Sequence, residues 1–305
     1  MHNKIFTMIE LFSGIGSQER ALRQLGIPYE IKNVCDVDKD ALLSYAAMRY
    51  DIGKEVANFN FPSAEQMVAE LQKKNIGYDF AKNKHTITNR TSVKKLKQYY
   101  IADKLTNNLG DISLVDELPY ADIVTYSSPC QTFSVSGTLA GAKKFCKTCG
   151  HEWDIDFSNP DYNYKCPCCG NVDLSSTTSG LLQEVQRLLA KSYERHTLPC
   201  ILLLENVKNL VGKKFKPQFD DWIKWLDSIG YNTYYKVLNA TDYGIPQSRE
   251  RVFAVSIRKD IDTGDFKFPE TIPLDTRLKD ILETNVDEKY YLSEEKNCTT
   301  SIQYW

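Results

Sequence analysis

Four cysteines of this chain have the spacing of a metal site. Cys146 and Cys149 form one C-x₂-C pair, and sixteen residues later Cys166 and Cys169 form a second pair. A glycine follows each pair and accepts the left-handed backbone that lets the chain wrap behind two thiolates. This pattern predicts a closed zinc site that is structural rather than catalytic, the alternative being four unrelated free cysteines. Cys168 is a competing ligand, but it would break the two-residue spacing.

A fifth cysteine, Cys130, has neighbours that suit a nucleophile rather than a metal ligand. It follows the predicted strand 123–126 in the sequence Ser127-Ser-Pro-Cys, and Gln, Ser and Gly residues come after it. Pro129 and this polar loop favour a thiol held toward a pocket, because functional side chains are often carried on loops that a rigid scaffold positions. The alternative is a buried structural cysteine.

An acid and a run of polar and basic residues are candidate partners for this thiol. Glu205 comes after the predicted strand 200–204, and a carboxylate at the end of a buried strand is unfavourable unless it is used or paired. Gln247, Arg249 and Arg251 are spaced two residues apart, so an extended chain would project all three from one face. Two fixed cations beside a thiol and an acid would favour the thiolate and stabilise a developing anion.

Predicted strands and helices alternate along the chain. The strands are 5–12, 29–34, 123–126, 200–204, 231–238 and 251–257, and the helices are 19–25, 39–50, 180–195 and 216–229. This alternation predicts an α/β fold with a doubly wound, mostly parallel sheet. Such sheets bind ligands beyond the carboxyl ends of their strands, which is where the candidate residues lie.

The first predicted strand ends in a glycine turn that opens a helix. The segment Phe12-Ser-Gly14-Ile-Gly16 lets the backbone approach a ligand closely. Asp36 follows the second strand, where ribose hydroxyls would sit, and Asp111 follows Gly110. The pattern alone also suits any nucleotide-binding or glycine-turned α/β protein, since it lacks the third glycine of the dinucleotide fingerprint.

Two segments interrupt the alternation and are interpreted as insertions. Residues 51–109 are polar, and the stretch from Lys73 to Lys104 holds nine Lys and Arg against two Asp. This segment is either a DNA-facing surface or a solvated helical excursion. Residues 138–176 carry the paired cysteines, resemble a zinc ribbon and are not net basic.

Composition limits the classes of protein to which the chain can belong. Its 305 residues are 42% hydrophobic and 26% charged, as in an ordinary globular protein of about two domains. Its net charge of −2 argues against a protein that coats nucleic acid by bulk charge. Nine cysteines, an odd number, without a secretory signal argue against a disulfide framework. No apolar stretch approaches the ~18 residues of a membrane span, so we expect a soluble, cytoplasmic protein with no membrane partner.

Four motifs together resemble those of one known family. They are Phe12-x-Gly14-x-Gly16, Pro129-Cys130-Gln131, Glu205-Asn206-Val207 and Gln247-x-Arg249-x-Arg251, in this order. The series is similar to the successive motifs of the DNA (cytosine-5)-methyltransferases, and the match runs from about residue 8 to residue 260. The resemblance implies a Rossmann-like, S-adenosylmethionine-dependent methyltransferase fold. The zinc ribbon predicted from the cysteine spacing is inserted after Cys130 and departs from the family pattern.

The resemblance also implies a site for the cofactor S-adenosyl-L-methionine. Phe12 would stack on the cofactor, Asp36 would bind the ribose hydroxyls, and Asp111 would bind the adenine amino group. Val37 departs from the family, which commonly has an aromatic residue there to stack on adenine. The full set of implied cofactor-binding residues is Phe12, Gly14, Gly16, Asp36, Val37, Asp111, Ile112, Pro129 and Leu181.

For the substrate, the resemblance implies covalent catalysis on a cytosine flipped out of double-stranded DNA. Cys130 would add to carbon 6, and Glu205 would hold and protonate ring nitrogen 3. Arg251, together with Arg249, would hold the carbonyl oxygen while carbon 5 takes the methyl group. The residues implied to contact the DNA substrate are Gln131, Ser134, Asn206 and Gln247.

The end of the chain departs from the family pattern. Family members continue into a target-recognition domain and two further motifs, and nothing in residues 261–305 resembles them. We therefore expect a single methyltransferase catalytic domain over residues 1–305, without the target-recognition domain, that acts in restriction–modification or phage DNA modification. It would be either the partner of a second polypeptide or a truncated product. The alternatives are an RNA cytosine-5 methyltransferase, a non-catalytic zinc-ribbon nucleic-acid-binding protein on a relict fold, and a Rossmann oxidoreductase.

Overall fold

A six-stranded sheet is the central element of the fold. The computed structural model describes residues 4–129, 140–159 and 163–291. The strands are β1 (Phe6–Leu11), β2 (Tyr29–Cys35), β3 (Tyr78–Asp79), β4 (Lys84–His85), β5 (Ile123–Tyr126), β6 (Lys143–Cys146), β7 (Glu152–Asp154), β8 (Leu174–Ser176), β9 (Ile201–Val207), β10 (Tyr231–Asn239) and β11 (Glu250–Arg258). The α-helices are α1 (Ser17–Gln24), α2 (Lys39–Ala47), α3 (Ile52–Asn58), α4 (Ala64–Lys73), α5 (Val93–Leu105), α6 (Leu182–Glu194) and α7 (Lys216–Ser228).

The order of strands in the large sheet is β10-β11-β9-β5-β1-β2. β1 runs parallel to β2 and β5, and β5 runs parallel to β9, whereas β11 is antiparallel to β9. The chain order reverses between β1 and β5, so the carboxyl ends of these two strands border the crevice that binds ligands in doubly wound sheets. The predicted α/β fold with a mostly parallel sheet is confirmed.

Side chains of β1 alternate between two helix layers. Ile9 and Leu11 lie in one core cluster with Leu188 of α6 and Trp222 of α7. Glu10 points to the opposite face, because successive side chains of a strand alternate. There its carboxylate accepts a hydrogen bond from the hydroxyl of Tyr45 in α2. Helices therefore cover both faces of the sheet at its centre.

The polar segment 51–109 has a hydrophobic interior of its own. Met67 of α4 and Leu96 and Tyr99 of α5 are buried in one cluster with Val34 of β2. Residues three and four apart face this interior while the lysines occupy the outer faces of the helices. The segment is therefore helical, as one of the two interpretations expects, but its helices bury one face instead of being solvated all round. The DNA-facing surface stays a prediction.

The second predicted insertion forms a three-stranded sheet of order β7-β6-β8. β6 runs antiparallel to both of its neighbours. Just after β7, Ile155 and Phe157 are buried in the main core. The side chain of Gln186 in α6 also donates to the Phe157 carbonyl (Nε2–O 2.7 Å). This small sheet is thus packed against the helix layer that covers the large sheet.

One strand is longer than predicted. β9 continues through Val207, so Glu205 and Asn206 lie inside the sheet rather than after it. The two polar residues suggested a strand end in the sequence, but both pair with β11 in the antiparallel ladder. Within the described residues, no helix has both the length and the apolar character needed to cross a membrane.

The chain divides into two compact units. The first comprises Met1–Leu238 and Arg251–Phe268, and the second comprises Asn239–Glu250 and Pro269–Trp305. In the second unit, the Ile272 amide donates to the Asp242 carbonyl (N–O 2.9 Å). This hydrogen bond joins the two segments that make up the unit.

Candidate active site and zinc site

The turn after β1 is tied to the end of β2. The Phe12 amide donates to the Cys35 carbonyl (N–O 2.8 Å), and the Gly14 amide donates to Asp36 Oδ2 (2.8 Å). Burial raises the pKa of the Asp36 carboxyl above its ordinary value, against the lowering effect of hydrogen bonds from the Asp38 and Gly14 amides. The glycine turn and the acid therefore lie side by side, while their roles toward a ligand stay predictions.

Gly16 packs against a buried ionic network. Its φ is 81°, and a Cβ at this position would lie 2.4 Å from Arg49 Nη2 and 2.5 Å from the Tyr45 ring. Arg49 forms an ion pair with Glu19 and lies over the Tyr45 ring, 3.4 Å from its centre. The Tyr45 hydroxyl donates to Glu10 Oε2 (2.5 Å), and burial raises the pKa of Glu10. The network leaves room only for glycine at this point of the turn.

Asp111 has both carboxylate oxygens engaged. Oδ1 accepts from the amide (2.9 Å) and hydroxyl (2.8 Å) of Ser113, and Oδ2 accepts from the side-chain amide of Asn75 (2.8 Å). Ile112 is buried in the main core, and Leu181 packs against the same cluster. Sequence reasoning missed Asn75, because its only signal was an Asn two residues before a Gly, which is typical of a turn.

The carboxylates near the β1 turn suit a cofactor that carries hydroxyl and amino groups. A carboxylate accepts about four hydrogen bonds, so the bonds that hold Asp36 and Asp111 leave acceptor sites on both. Asp36 follows β2 and bonds to the glycine turn, on the side where such folds bind ligands. The loop that carries Asp111 meets the end of β2, where the Cys35 thiol donates to the Gly110 carbonyl (Sγ–O 3.0 Å). This set of hydrogen-bond acceptors therefore fits the adenosine part of S-adenosyl-L-methionine.

The chain leading to Cys130 is tied to β9. β5 ends at Tyr126, and the side chain of Asn206 donates to the Ser128 carbonyl (3.1 Å) and hydroxyl (3.3 Å). Asn206 is buried and so positions the approach to Cys130, while its contact with substrate stays a prediction. Pro129 is the last described residue before 130–139. The predicted residues that lie outside the described part of the chain are Cys130, Gln131 and Ser134.

Glu205 and Arg251 form an ion pair across β9 and β11. Glu205 is opposite Phe253 in the antiparallel ladder, so Arg251 is its diagonal neighbour on the same face. Arg251 Nε lies 3.1 Å from Glu205 Oε1, and the two side chains are 24% and 21% exposed. The parallel register that pairs Tyr126 with Leu204 brings Glu205 level with the residue after β5. The predicted acid and arginine are therefore together, beside the strand that leads to the predicted nucleophile.

Gln247 and Arg249 lie in the second unit. The chain turns at Gly244 (φ 78°) and bends at Gln247, and β11 begins one residue after Arg249. The prediction that Gln247, Arg249 and Arg251 share one extended face is therefore wrong for Gln247. Pro246, whose ring fixes φ, favours this turn over an extended chain.

The four predicted zinc ligands come together. Their Sγ atoms all lie within 4.8 Å of one another, with Cys146–Cys169 and Cys149–Cys166 separations of 3.6 Å. Four Zn–S bonds of about 2.3 Å in a tetrahedron place the sulfur atoms about 3.8 Å apart, so this donor set fits zinc. Cys168 is exposed and lies outside the cluster, as its spacing predicted.

Two matching turns shape the cysteine cluster. The Gly150 amide donates to the Cys146 carbonyl (2.9 Å), and the Gly170 amide donates to the Cys166 carbonyl (2.8 Å). The two glycines have φ of 73° and 71°. Trp153 packs with Cys146 and Cys166 in a core of only a few residues. Because so small a core contributes little stability, a bound metal would hold this sheet together.

Comparison with known proteins identifies similar sequences. A family model described as C-5 cytosine-specific DNA methylase matches residues 63–148 and 170–304. The chain is 38% identical over 288 residues to the type II methyltransferase M2.ScrFI of Lactococcus lactis subsp. cremoris, covering 93% of this chain and 69% of that protein. It is 30% identical over 319 residues to the orphan methyltransferase M.SPBetaI of Bacillus phage SPbeta, covering 95% of this chain.

The chain spans only part of the proteins that it matches. It covers 59% of the length of the phage methyltransferase. Among solved structures, it is similar to the crystal structure of S. pombe Dnmt2 methyltransferase, at 17% identity and a TM-score of 0.48. That match covers 97% of this chain and 65% of the solved chain.

Proposed function

Because the chain belongs to the C-5 cytosine-specific DNA methylase family, we propose that it transfers a methyl group from S-adenosyl-L-methionine to carbon 5 of cytosine in double-stranded DNA. The observation that carries this proposal is the ion pair between Glu205 of β9, the strand beside β5, and Arg251 of β11, the next strand in the sheet. β5 leads into Cys130, so an acid and a cation lie next to the chain that carries the proposed nucleophile.

The cofactor would bind beyond the carboxyl ends of β1 and β2, next to the crevice that β1 and β5 border. Asp36 would accept hydrogen bonds from the ribose hydroxyls, and Asp111 would accept one from the adenine amino group. Phe12 and the turn through Gly14 and Gly16 would enclose the methionine part, and the remaining contacts would come from Val37, Ile112, Pro129 and Leu181. When bound, S-adenosyl-L-methionine supplies a methyl group activated by a sulfonium.

The target base would leave the duplex and enter the same crevice. The Cys130 thiolate would add to carbon 6, and the electron pair displaced into the ring would make carbon 5 nucleophilic. Glu205 would hold the proton at ring nitrogen 3, and Arg251 would stabilise the carboxylate left when that proton moves to the base. Arg251, together with Arg249, would also hold the carbonyl oxygen of the base.

Carbon 5 would attack the activated methyl group with this electron pair, and the carbon–sulfur bond that breaks would leave a neutral thioether. A water molecule would then take the carbon-5 proton, so that the electrons return to the ring and expel the Cys130 thiolate, and ring nitrogen 3 would return its proton to the Glu205 carboxylate. Covalent addition is needed because carbon 5 of cytosine is a weak nucleophile, and the adduct divides one difficult step into easier ones. The predicted contacts of Gln131, Ser134, Asn206 and Gln247 would position the base and its flanking DNA.

The cysteine cluster would hold a structural zinc ion through Cys146, Cys149, Cys166 and Cys169. With four thiolate ligands it has no open position for substrate, so it would stabilise the ribbon rather than take part in methyl transfer. The relatives are named as type II and orphan methyltransferases, which supports a role in restriction–modification or phage DNA modification. The contribution of a second polypeptide stays a prediction.

Mass spectrometry of nucleosides tests the proposal directly. The purified chain is incubated with duplex DNA or with RNA and with S-adenosyl-L-methionine that carries a CD₃ group, and the nucleic acid is then digested. The expected product is 5-(trideuteromethyl)cytosine from DNA. Label on the exocyclic nitrogen of cytosine or adenine, or label in RNA only, would contradict the proposal. Cofactor binding with no label in any base would favour the non-catalytic alternative.

A further inference from the structure

The turn formed by residues 74–77 connects the two loops that carry the proposed adenine contacts. On one side, the Gly77 amide donates to the carbonyl of Val37 (N–O 2.7 Å). On the other side, the Asp111 amide donates to the Lys74 carbonyl (2.9 Å). The side chain of Asn75 donates to Asp111 Oδ2 (2.8 Å). One turn from the segment 51–109 therefore holds both loops.

The position of this turn is itself fixed by contacts of Lys74 and by burial of Ile76. Lys74 Nζ donates to Asp103 Oδ1 (2.8 Å) and to the Asn108 carbonyl (2.8 Å), and Asp103 is buried. A Cβ at Gly110 (φ 80°) would lie 2.4 Å from the Lys74 carbonyl oxygen, so the two chain segments are in close contact. Ile76 is fully buried. These contacts hold the backbone of residues 74–77 in place, and Asn75 bonds to Asp111 from this fixed position.

We infer that Asn75 is a positioning residue that orients Asp111 toward the adenine amino group, an inference that rests on the proposed function. The bonds from Ser113 fix one carboxylate oxygen, and the bond from Asn75 fixes the other, so the carboxylate plane is defined. Each oxygen has about two acceptor positions, which leaves Oδ2 able to accept from the amino group of adenine. Without the Asn75 amide, only the bonds from Ser113 to the other oxygen orient the carboxylate, and the position of Oδ2 is less well defined.

The turn also matters for recognition of the adenine base, because Val37 stands where the family commonly has an aromatic residue. Val37 offers no ring to stack on adenine, so recognition of the base depends more on hydrogen bonds to its edge than it would with an aromatic residue. A site built to hydrogen-bond an amino group discriminates strongly against a ligand that lacks this group. Asn75 should therefore control discrimination between a 6-amino and a 6-oxo purine, and not simply overall affinity.

Calorimetric binding of two ligands to the full chain tests this inference. The ligands are S-adenosyl-L-homocysteine and S-inosyl-L-homocysteine, which carries a 6-oxo group in place of the 6-amino group. Asn75→Gly keeps the left-handed backbone (φ 56°) and removes only the side-chain amide. We expect it to weaken binding of the adenosyl ligand about tenfold, the usual effect of losing a hydrogen bond to a charged group. Binding of the inosyl ligand should change by less than about twofold.

A matched control comes from the same segment. Asn83 also has a positive φ (50°), and its side chain accepts one hydrogen bond, from the Tyr78 hydroxyl. Asn83→Gly should therefore leave the affinities for both ligands unchanged. Asn75→Asp is the second variant, to be used if Asn75→Gly does not fold. Aspartate also tolerates a positive φ, but its carboxylate accepts hydrogen bonds and does not donate one to Asp111.

The possible results separate the inference from the proposed function. Equal loss of affinity for the two ligands in Asn75→Gly would make Asn75 merely structural, and no loss for either would remove it from the site. Both results would overturn the inference and leave the proposed function intact. Failure of the unaltered chain to bind S-adenosyl-L-homocysteine would overturn both.

Discussion

Arg251 Nε lies 3.1 Å from Glu205 Oε1 because the two residues are diagonal neighbours on the antiparallel strands β9 and β11. About a fifth to a quarter of each side chain is exposed, so solvent weakens the attraction between the charges. Such a pair contributes little to stability. We propose that the role of the pair is to hold an acid and a cation in fixed positions near the strand that leads to Cys130.

Replacement of the acid should therefore reduce activity far more than stability. We expect Glu205→Gln to lower kcat by about 10²-fold or more, because an amide does not deliver a proton to ring nitrogen 3. The free energy of unfolding should change by less than about 1 kcal/mol. Steady-state kinetics and urea unfolding measure the two effects. The exposed pair Glu30–Lys32 provides the control, since Glu30→Gln should alter neither quantity. Normal turnover by Glu205→Gln would remove this residue from the mechanism.

The glycine turn offers a matched pair of substitutions. Both glycines have positive φ, but a Cβ at Gly14 meets nothing within 4 Å, whereas a Cβ at Gly16 would collide with Tyr45 and Arg49. Gly14→Ala should cost about 1 kcal/mol from backbone strain alone. Gly16→Ala should cost about 1–3 kcal/mol more, because overpacking is added to that strain. Chemical denaturation of the two variants is the test, and equal destabilisation would contradict the packing described for Gly16.

Glu10 gives a pH dependence of known sign. Burial raises its pKa above the ordinary 4.5, so the folded chain binds this proton more tightly than the unfolded chain. The resulting stability is complete below pH 4.5 and is lost as the pH rises through the raised pKa. Glu10→Gln does not titrate, and its amide can still accept from the Glu19 amide and bond to the Tyr45 hydroxyl.

The free energy of unfolding of Glu10→Gln, relative to the unaltered chain, should therefore increase as the pH is raised from about 5 to 8. Urea unfolding at several pH values measures this difference. Both proteins contain the same cysteine cluster, so its contribution to the difference cancels. A difference that stays constant with pH would show that Glu10 has no raised pKa in the folded chain.

Loss of the metal from the cysteine cluster should affect DNA binding and cofactor binding to different extents. Cys149→Ser should abolish zinc binding and unfold β6–β8, whereas Cys168→Ser should retain the metal because Cys168 lies outside the cluster. If the ribbon contacts DNA, loss of zinc should weaken DNA binding more than binding of S-adenosyl-L-homocysteine. Metal analysis and titrations with both ligands provide the test. Equal weakening of the two would assign the ribbon a structural role only.

Local patterns in the sequence predicted the cluster of four cysteines and the α/β sheet correctly, while the zinc ion itself stays a prediction. The two C-x₂-C pairs specify their own turns, each closed by a glycine with positive φ, so the ligand set needed no knowledge of distant contacts. The alternation of strands and helices likewise predicted the α/β class. The charged composition of 51–109, in contrast, concealed the buried face of α4 and α5, because charged and polar residues alternate along these helices with the apolar residues that face inward.

Contacts between distant residues were beyond sequence reasoning. Asn75 and Asp111 are 36 positions apart, and no motif marks Asn75. The end of β9 was placed too early because Glu205 and Asn206 are polar, and only their pairing with residues of β11 shows that the strand continues. Gln247 was assigned to an extended face from spacing alone, although Gly244 and Pro246 favour a turn before it.

The central claim is that the Cys130 thiolate forms a covalent adduct with carbon 6 of cytosine. Duplex DNA in which every cytosine is 5-fluorocytosine tests it, because a fluorine at carbon 5 is not lost as a cation and so blocks release of the enzyme after methyl transfer. Mass spectrometry of peptides from the trapped complex should locate the nucleotide on Cys130, only when S-adenosyl-L-methionine is present, and Cys130→Ser should give no complex. A nucleotide on another residue, or 5-methylcytosine formed by Cys130→Ser in ordinary DNA, would contradict the account.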